Sequence, residues 1–267
     1  MRKIAIIGGG KMGMALAQGI RTLEENNVSV SEITPKGIEE LAKQGFKSTR
    51  DNKEAVSGAD VVILAVKPKE IQEVLLEIEH NLSKQTIIVS IAAGVKISFL
   101  ENILPANKFI RAMPNICATV KAASTSLTKG SLVEENELEV VKTLFESVGS
   151  SITIDESLMD VMTGLGGSGP AYIFTVIESL ADGAIRMGLP ADIAIKIAAE
   201  VTFGSAKMIL TTKINPSELR LKVTTPGGTT VEGLHKMETN KVRVAFMDAV
   251  EAATKRATEL SETLTKK

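Results

Sequence analysis

The 267-residue chain has no tryptophan, one tyrosine, one cysteine and two histidines. A lone Cys117 excludes an internal disulfide and any cysteine-cluster metal site. Following Met113-Pro114-Asn115-Ile116, it reads as a small buried hydrophobe rather than a nucleophile. Neither His80 nor His235 has metal-ligand or triad-like neighbours in sequence, so both read as structural or exposed. A basic stripe is also missing: 31 Lys and Arg are interspersed with 32 Asp and Glu, for a net charge of −1, which argues against nucleic-acid binding. No apolar run reaches membrane-spanning length, and Ile4–Ile7 is too short for a secretory signal core. A cytoplasmic location is the expectation. What remains is an ordinary globular composition, 44% hydrophobic and 24% charged, with length enough for two domains.

The first half alternates short apolar runs with helical patterns. Residues 3–7 lead into a helix from Met12; 28–32 precede a helix over 35–44; 60–65 precede 69–79; 86–90 precede 96–103. Runs such as Val61-Val62-Ile63-Leu64 and Thr86-Ile87-Ile88-Val89 have no polar alternation, as in strands covered on both faces of a parallel sheet. Further strands are expected at 108–112, 123–128 and 150–154, with a helix at 134–146. The fold class is therefore α/β, a Rossmann-type doubly wound sheet over residues 1–155.

Residues 156–267 read as an all-α domain. Helices over 168–188 and 190–212 carry Ile173, Phe174, Ile177, Leu180, Ile195, Val201 and Phe203 on nearly every side. So small a helical domain cannot cover that surface alone, so interlocking with a second subunit is expected, with a homodimer as the minimum. The last helix, 241–264, has one apolar stripe, through Val242, Ala245, Phe246 and Ala249, as in an outer helix.

Three glycine-bearing segments carry candidate chemistry. Gly8, Gly10 and Gly13 form G-x-G-x-x-G directly after the first strand, the context of a dinucleotide fingerprint. The first glycine permits the turn, the second admits a pyrophosphate, and the third lets helix and strand pack closely. Ala65-Val66-Lys67-Pro68 follows another strand at its ligand-binding end, where Lys67 could meet phosphate or ribose; a solvated lysine before a helix-starting proline is the alternative. Glu32 stands where an acid bonds the adenine ribose and favours NAD, whereas Ser31, Thr34 and Lys36 suit a 2′-phosphate. Thr163–Tyr172, between the halves, reads either as a hinge or as a close-packed wall of the cleft. In Thr224-Thr225-Pro226-Gly227-Gly228-Thr229-Thr230, proline stops one helix and paired glycines bare the main-chain N–H groups before the next, which makes an anion pocket. A plain corner with Thr229 as N-cap is the alternative.

IGGGKMG, DNKEAV, AVKP, SIAAGV, RAMPN, TGLGGSGPAY, LADGAIRMGLP and TTPGGTT occur in an order and spacing that resemble pyrroline-5-carboxylate reductase over nearly the whole chain. The resemblance implies a Rossmann domain followed by a helical dimerisation domain, in dimers that can assemble into decamers, and reduction of Δ1-pyrroline-5-carboxylate to L-proline by NADPH or NADH. It implies that Thr225, Gly227, Gly228, Thr229 and Thr230 bind the substrate, with Thr230 as acid or proton relay at the ring nitrogen, and that Glu156 lies near them. It assigns Gly8, Gly9, Gly10, Lys11, Met12 and Gly13 to the pyrophosphate turn, Ser31 and Asn52 to the adenosine side, Ala65, Val66, Lys67 and Pro68 to ribose and nicotinamide, and Ala92, Ala93 and Gly94 to the ring wall. No metal is implied. The chain departs from the family's pattern at Ile33, where Arg is usual, at Ile116-Cys117, where Thr-Pro is usual, at Leu221-Lys222, and at Thr225, where Ser is usual. Another cyclic-imine or 3-hydroxyacid reductase, or a non-catalytic dinucleotide-binding protein, are the alternative readings.

Overall fold

The computed structural model describes residues 2–24 and 26–265. Eight strands form one sheet: β1 Arg2–Ile7, β2 Asn26–Ser31, β3 Ser48–Thr49, β4 Val61–Leu64, β5 Ile87–Ser90, β6 Lys108–Met113, β7 Ala123–Lys129 and β8 Gly149–Thr153. Their order is β3-β2-β1-β4-β5-β6-β7-β8, parallel throughout except for the β6–β7 pair. The crossovers are α1 Lys11–Arg21, α2 Pro35–Lys43, α3 Asn52–Val56, α4 Ile71–Ile78 and α5 Ile97–Ile103, with α6 Glu135–Glu146 between β7 and β8.

The unbroken apolar strands are explained by burial on both faces. In β1, Ile4 and Ile6 join Leu16, Ile20, Val30 and Ile63 in one core, while Ala5 and Ile7 join Val62, Leu64, Ile71 and Leu75 in the other. All are nearly inaccessible to solvent, and each large aliphatic side chain so buried contributes about 1.5–3 kcal/mol. Strand order reverses between β1 and β4, so the chain leaves these two strands in opposite directions and opens a crevice at their carboxyl ends.

The chain divides into two compact units, one of residues 1–168 with 251–267 and one of residues 169–250. The division falls inside the glycine-rich joint, after a π-helical turn at Thr163–Gly167. It lies beyond the 155/156 boundary expected from the sequence because α7, Met159–Met162, and the turn before it pack on the sheet through Arg111.

The second unit contains α8 Gly169–Arg186, α9 Ala191–Thr212, α10 Pro216–Lys222, α11 Thr229–Thr239 and the start of α12 Val242–Thr265. Helices α8 and α9 meet through the small residues Ala181, Ala194 and Ala198, and the Tyr172 hydroxyl donates to the Ala249 carbonyl at 3.3 Å. Phe174, Leu180, Ile195, Val201, Phe203 and Leu210 stay at least half exposed in the single chain. That is the unpaired apolar surface which the sequence pattern assigns to a subunit partner. The end of α12 belongs to the first unit, where Leu260 and Ser261 pack against Gly94, so this helix is more than the outer helix its single stripe suggested.

Candidate functional site

The glycine turn is built as its spacing requires. Gly8 has φ 101°, and a Cβ there would stand 2.6 Å from the Ala65 carbonyl oxygen at the end of β4. A Cβ on Gly13 would collide with the Gly8 carbonyl oxygen, so that glycine lets α1 start directly on β1. Gly10 differs: nothing lies within 4 Å of its would-be Cβ, and it is the N-cap of α1 with no side chain capping the helix. The first amides of α1 therefore have no intrahelical partner and face an open cleft, where the helix dipole favours an anion.

That cleft has a volume of about 470 Å³ and is lined by Gly9, Gly10, Lys11, Glu32, Thr34 and Lys36, among others. Glu32 forms part of its floor. The Glu32 side chain is 8% exposed; its Oε2 accepts the Gly9 N–H at 2.8 Å and its Oε1 accepts the Thr34 N–H at 2.7 Å. The sequence left open whether this side chain points toward or away from the glycines, and the structure turns it toward them. Thr119, from the turn Ile116–Val120 after β6, also lines the cleft, and no signal in the sequence marked it.

The other expected cofactor residues gather at the same carboxyl edge of the sheet, with varied surroundings. Ser31 is buried and donates its hydroxyl to Asn52 Oδ1 at 2.6 Å, while Asn52 Nδ2 donates to Glu77 Oε2 at 2.7 Å. The two adenosine-side candidates thus meet each other, outside the lining of the cleft. The Ala65 N–H is taken by Ile7, Val66 is partly buried, and Lys67 is exposed where Pro68 opens a short helical turn capped by Glu70. After β5, Ala92 is buried and Ala93 partly so. Gly94 has φ 76°, and the space beside it is filled by Leu260 and Ser261 of α12. Met12 packs against the core and Lys11 is exposed at the cleft.

The Pro-Gly-Gly segment joins α10 to α11 in the second unit. Gly227 has φ 67°, a left-handed conformation that bars ordinary side chains. Gly228 is the N-cap of α11, in place of Thr229, and again no side chain caps the helix. Its N–H is taken by the Thr225 carbonyl at 3.1 Å, and a Cβ on it would collide with Thr225 Oγ1. Thr225 and Thr229 are exposed and Thr230 partly buried, at the first turn of an eleven-residue helix. This is a second uncapped helix start with hydroxyls beside it, suited to a carboxylate.

Glu156 is engaged within the first unit. Its Oε1 accepts the Ile97 N–H at 2.7 Å, at the start of α5, and pairs with Arg111 Nη1 at 3.5 Å. Arg111, 2% exposed, also reaches Asp160 Oδ1 at 3.2 Å through Nη2. Asp160 in turn accepts from Thr258 and Ser261 of α12. The RAMPN segment contains Arg111, but nothing in the sequence pairs it with carboxylates more than forty residues later. Asn115 of the same segment donates to the Gly166 carbonyl at 3.0 Å and caps the turn bearing Ile116 and Cys117; Cys117 is partly buried. Among the described residues no cluster of His, Cys, Asp and Glu could hold a metal ion, and no helix is long and apolar enough to cross a membrane.

Residues 156–260 match the family described as pyrroline-5-carboxylate reductase dimerisation, and residues 3–94 match the family described as NADP oxidoreductase, coenzyme F420-dependent. The chain is 40% identical to the pyrroline-5-carboxylate reductase of Methanosarcina acetivorans, over 98% of either chain. Its fold is similar to that of a pyrroline-5-carboxylate reductase from Coxiella burnetii, with a TM-score of 0.89, 33% identity and coverage of 97% of this chain and 98% of the other. A Plasmodium falciparum pyrroline carboxylate reductase solved with NADP bound gives a TM-score of 0.88 at 28% identity, covering 97% of this chain and 98% of that one.

Proposed function

Because the chain belongs to the pyrroline-5-carboxylate reductase family, we propose that it reduces Δ1-pyrroline-5-carboxylate to L-proline, the final step of proline biosynthesis, with NAD(P)H as reductant. The observation that carries this reading is the pair of uncapped helix starts. One lies beside a cleft of dinucleotide-binding construction and the other beside two threonine hydroxyls.

The residues present fit a dinucleotide. Gly10 offers an open face and free amides for a pyrophosphate, and the crowding at Gly8 and Gly13 explains why only glycine serves there. When bound, the nicotinamide cofactor supplies a hydride to the imine carbon. The imine nitrogen then gains electron density and needs a proton. In the proposal, Thr230 holds or relays that proton through its hydroxyl, and the N–H groups of Thr229 and Thr230, with the Thr225 hydroxyl and the bend at Gly227 and Gly228, hold the substrate carboxylate. Most of the rate comes from orienting the imine, since a well-placed intramolecular reaction gains roughly 7–11 kcal/mol over an encounter in solution. Glu156 acts by fixing the start of α5 and Arg111 rather than by touching substrate.

On the cofactor side, Lys11 and Met12 support the pyrophosphate turn, and Ala65, Val66, Lys67, Pro68, Ala92 and Ala93 supply the ribose and ring side. Gly94 shapes the strand end beneath α12, and Ser31 with Asn52 braces the edge beside Glu32. The apolar helices of the second unit support a homodimeric assembly; in the proposal this builds to a decamer and the protein works in the cytoplasm.

A steady-state assay of NADH and NADPH oxidation with pyrroline-5-carboxylate tests the reading. Turnover that requires this imine, and exceeds that with other cyclic imines or 3-oxo acids, is the expected result. Dinucleotide binding without turnover on any of them would favour a binding protein instead.

A further inference from the structure

Resting on the reductase reading above, we infer that Glu32 is the residue that selects NADH over NADPH, by presenting a fixed carboxylate where a bound dinucleotide displays its adenosine ribose. The position follows from topology: Glu32 directly follows β2, the strand next to β1, and faces the glycine turn, where an acid bonds the 2′-hydroxyl of NAD in this class of sheet.

The side chain is locked. Both carboxylate oxygens accept main-chain N–H groups, from Gly9 at 2.8 Å and Thr34 at 2.7 Å. Two glycines make room for it: a Cβ on Gly9 would stand 3.1 Å from Glu32 Cβ, and one on Gly37 only 2.6 Å from its Cγ and 2.8 Å from its Cδ. The group therefore cannot swing away to admit a phosphate without breaking two hydrogen bonds. Among the described residues no lysine or arginine forms an ion pair with it. Lys11 and Lys36 line the same cleft but are exposed, and Ile33, 73% exposed beside the carboxylate, adds no charge.

The chemistry then discriminates. A carboxylate has about four acceptor sites; the two amides occupy two, and the remainder can accept the O–H groups of a ribose diol. A 2′-phosphate has no comparable donor and adds about 1.5 to 2 negative charges against an anion already in place.

Equilibrium titration of the purified protein with NADH and NADPH, followed by cofactor fluorescence, tests this without turnover. Competition by adenosine 5′-monophosphate and adenosine 2′,5′-bisphosphate isolates the ribose contact. NADH should bind at least about tenfold tighter than NADPH, and the monophosphate should outcompete the bisphosphate by a similar factor. Glu32→Gln should shrink the ratio to about threefold or less. Because that change also weakens two structural hydrogen bonds, Ile33→Arg at the exposed neighbour is the companion variant. It should raise NADPH affinity about fivefold or more with the melting temperature unchanged. Equal or tighter NADPH binding by the unaltered protein overturns the assignment while leaving the reductase reading intact, as does an unchanged ratio in both variants. Binding of neither dinucleotide removes the reductase reading itself, and the selectivity with it.

Discussion

Replacement of Arg111 by methionine tests how the first unit is held together. The guanidinium is 2% exposed and lies between Glu156 Oε1 at 3.5 Å and Asp160 Oδ1 at 3.2 Å, whose side chains are 32% and 16% exposed. Methionine keeps much of the aliphatic volume but strands two carboxylates, and removing one partner of a buried ion pair costs about 3–5 kcal/mol. Glu156 retains the Ile97 N–H, and Asp160 retains the Thr258 and Ser261 hydroxyls, so the lower end, about 3 kcal/mol, applies. For a domain of this size each kcal/mol moves the melting temperature by roughly 2–4 °C, so Arg111→Met should melt about 6–12 °C lower in a thermal-shift measurement. Adding Asp160→Leu should restore about half of the loss, because the stranded charge rather than the missing contact dominates. A single variant within about 2 °C of the unaltered protein would refute this electrostatic account.

Four further substitutions separate site from scaffold. Gly10→Ala, at φ −64° with open space around the new methyl, should leave the melting temperature within about 1 °C yet weaken NADH binding about tenfold; Gly13→Ala should lower both, and identical behaviour of the two would contradict the turn's geometry. Thr230→Ala should cut kcat about a hundredfold with the NADH dissociation constant unchanged, and undiminished turnover would remove Thr230 from the chemistry. Burial alone would raise the Glu137 carboxyl pKa, but hydrogen bonds from Lys108 and the Glu134 N–H, with the lysine charge, outweigh it and hold the pKa below the ordinary glutamate value. The stability this contributes is full above the ordinary carboxylate range and is lost as pH falls through the lowered value, so Glu137→Gln should flatten the acid limb of melting temperature against pH; an unchanged acid limb would contradict it.

Much of this molecule could be read from residue order alone, for reasons that are local. Strands buried on both faces are apolar nearly without interruption, so Val61–Leu64 and Ile87–Ser90 stand out, and a glycine turn between strand and helix marks a candidate dinucleotide site. The two-residue strand Ser48–Thr49 and the short helix Asn52–Val56 carry too little periodicity to register. The antiparallel placement of β7 also left no mark, since apolar burial does not encode strand direction. Contacts of long sequence separation were the least legible. Arg111 with Asp160, Gly94 under Leu260, and Thr119 at the cleft depend on the assembled sheet. So does the orientation of Glu32: its position in the sequence made it a candidate for the ribose, but only the hydrogen bonds to Gly9 and Thr34 fix which way the carboxylate faces.

The most direct measurement of the central claim uses NADH deuterated at the transferable position of its nicotinamide. Incubated with the protein and pyrroline-5-carboxylate, it should give L-proline with one deuterium on the ring carbon beside nitrogen and away from the carboxylate, together with stoichiometric NAD⁺. Unlabelled proline, or NADH consumed without proline formed, would contradict hydride transfer to the imine carbon.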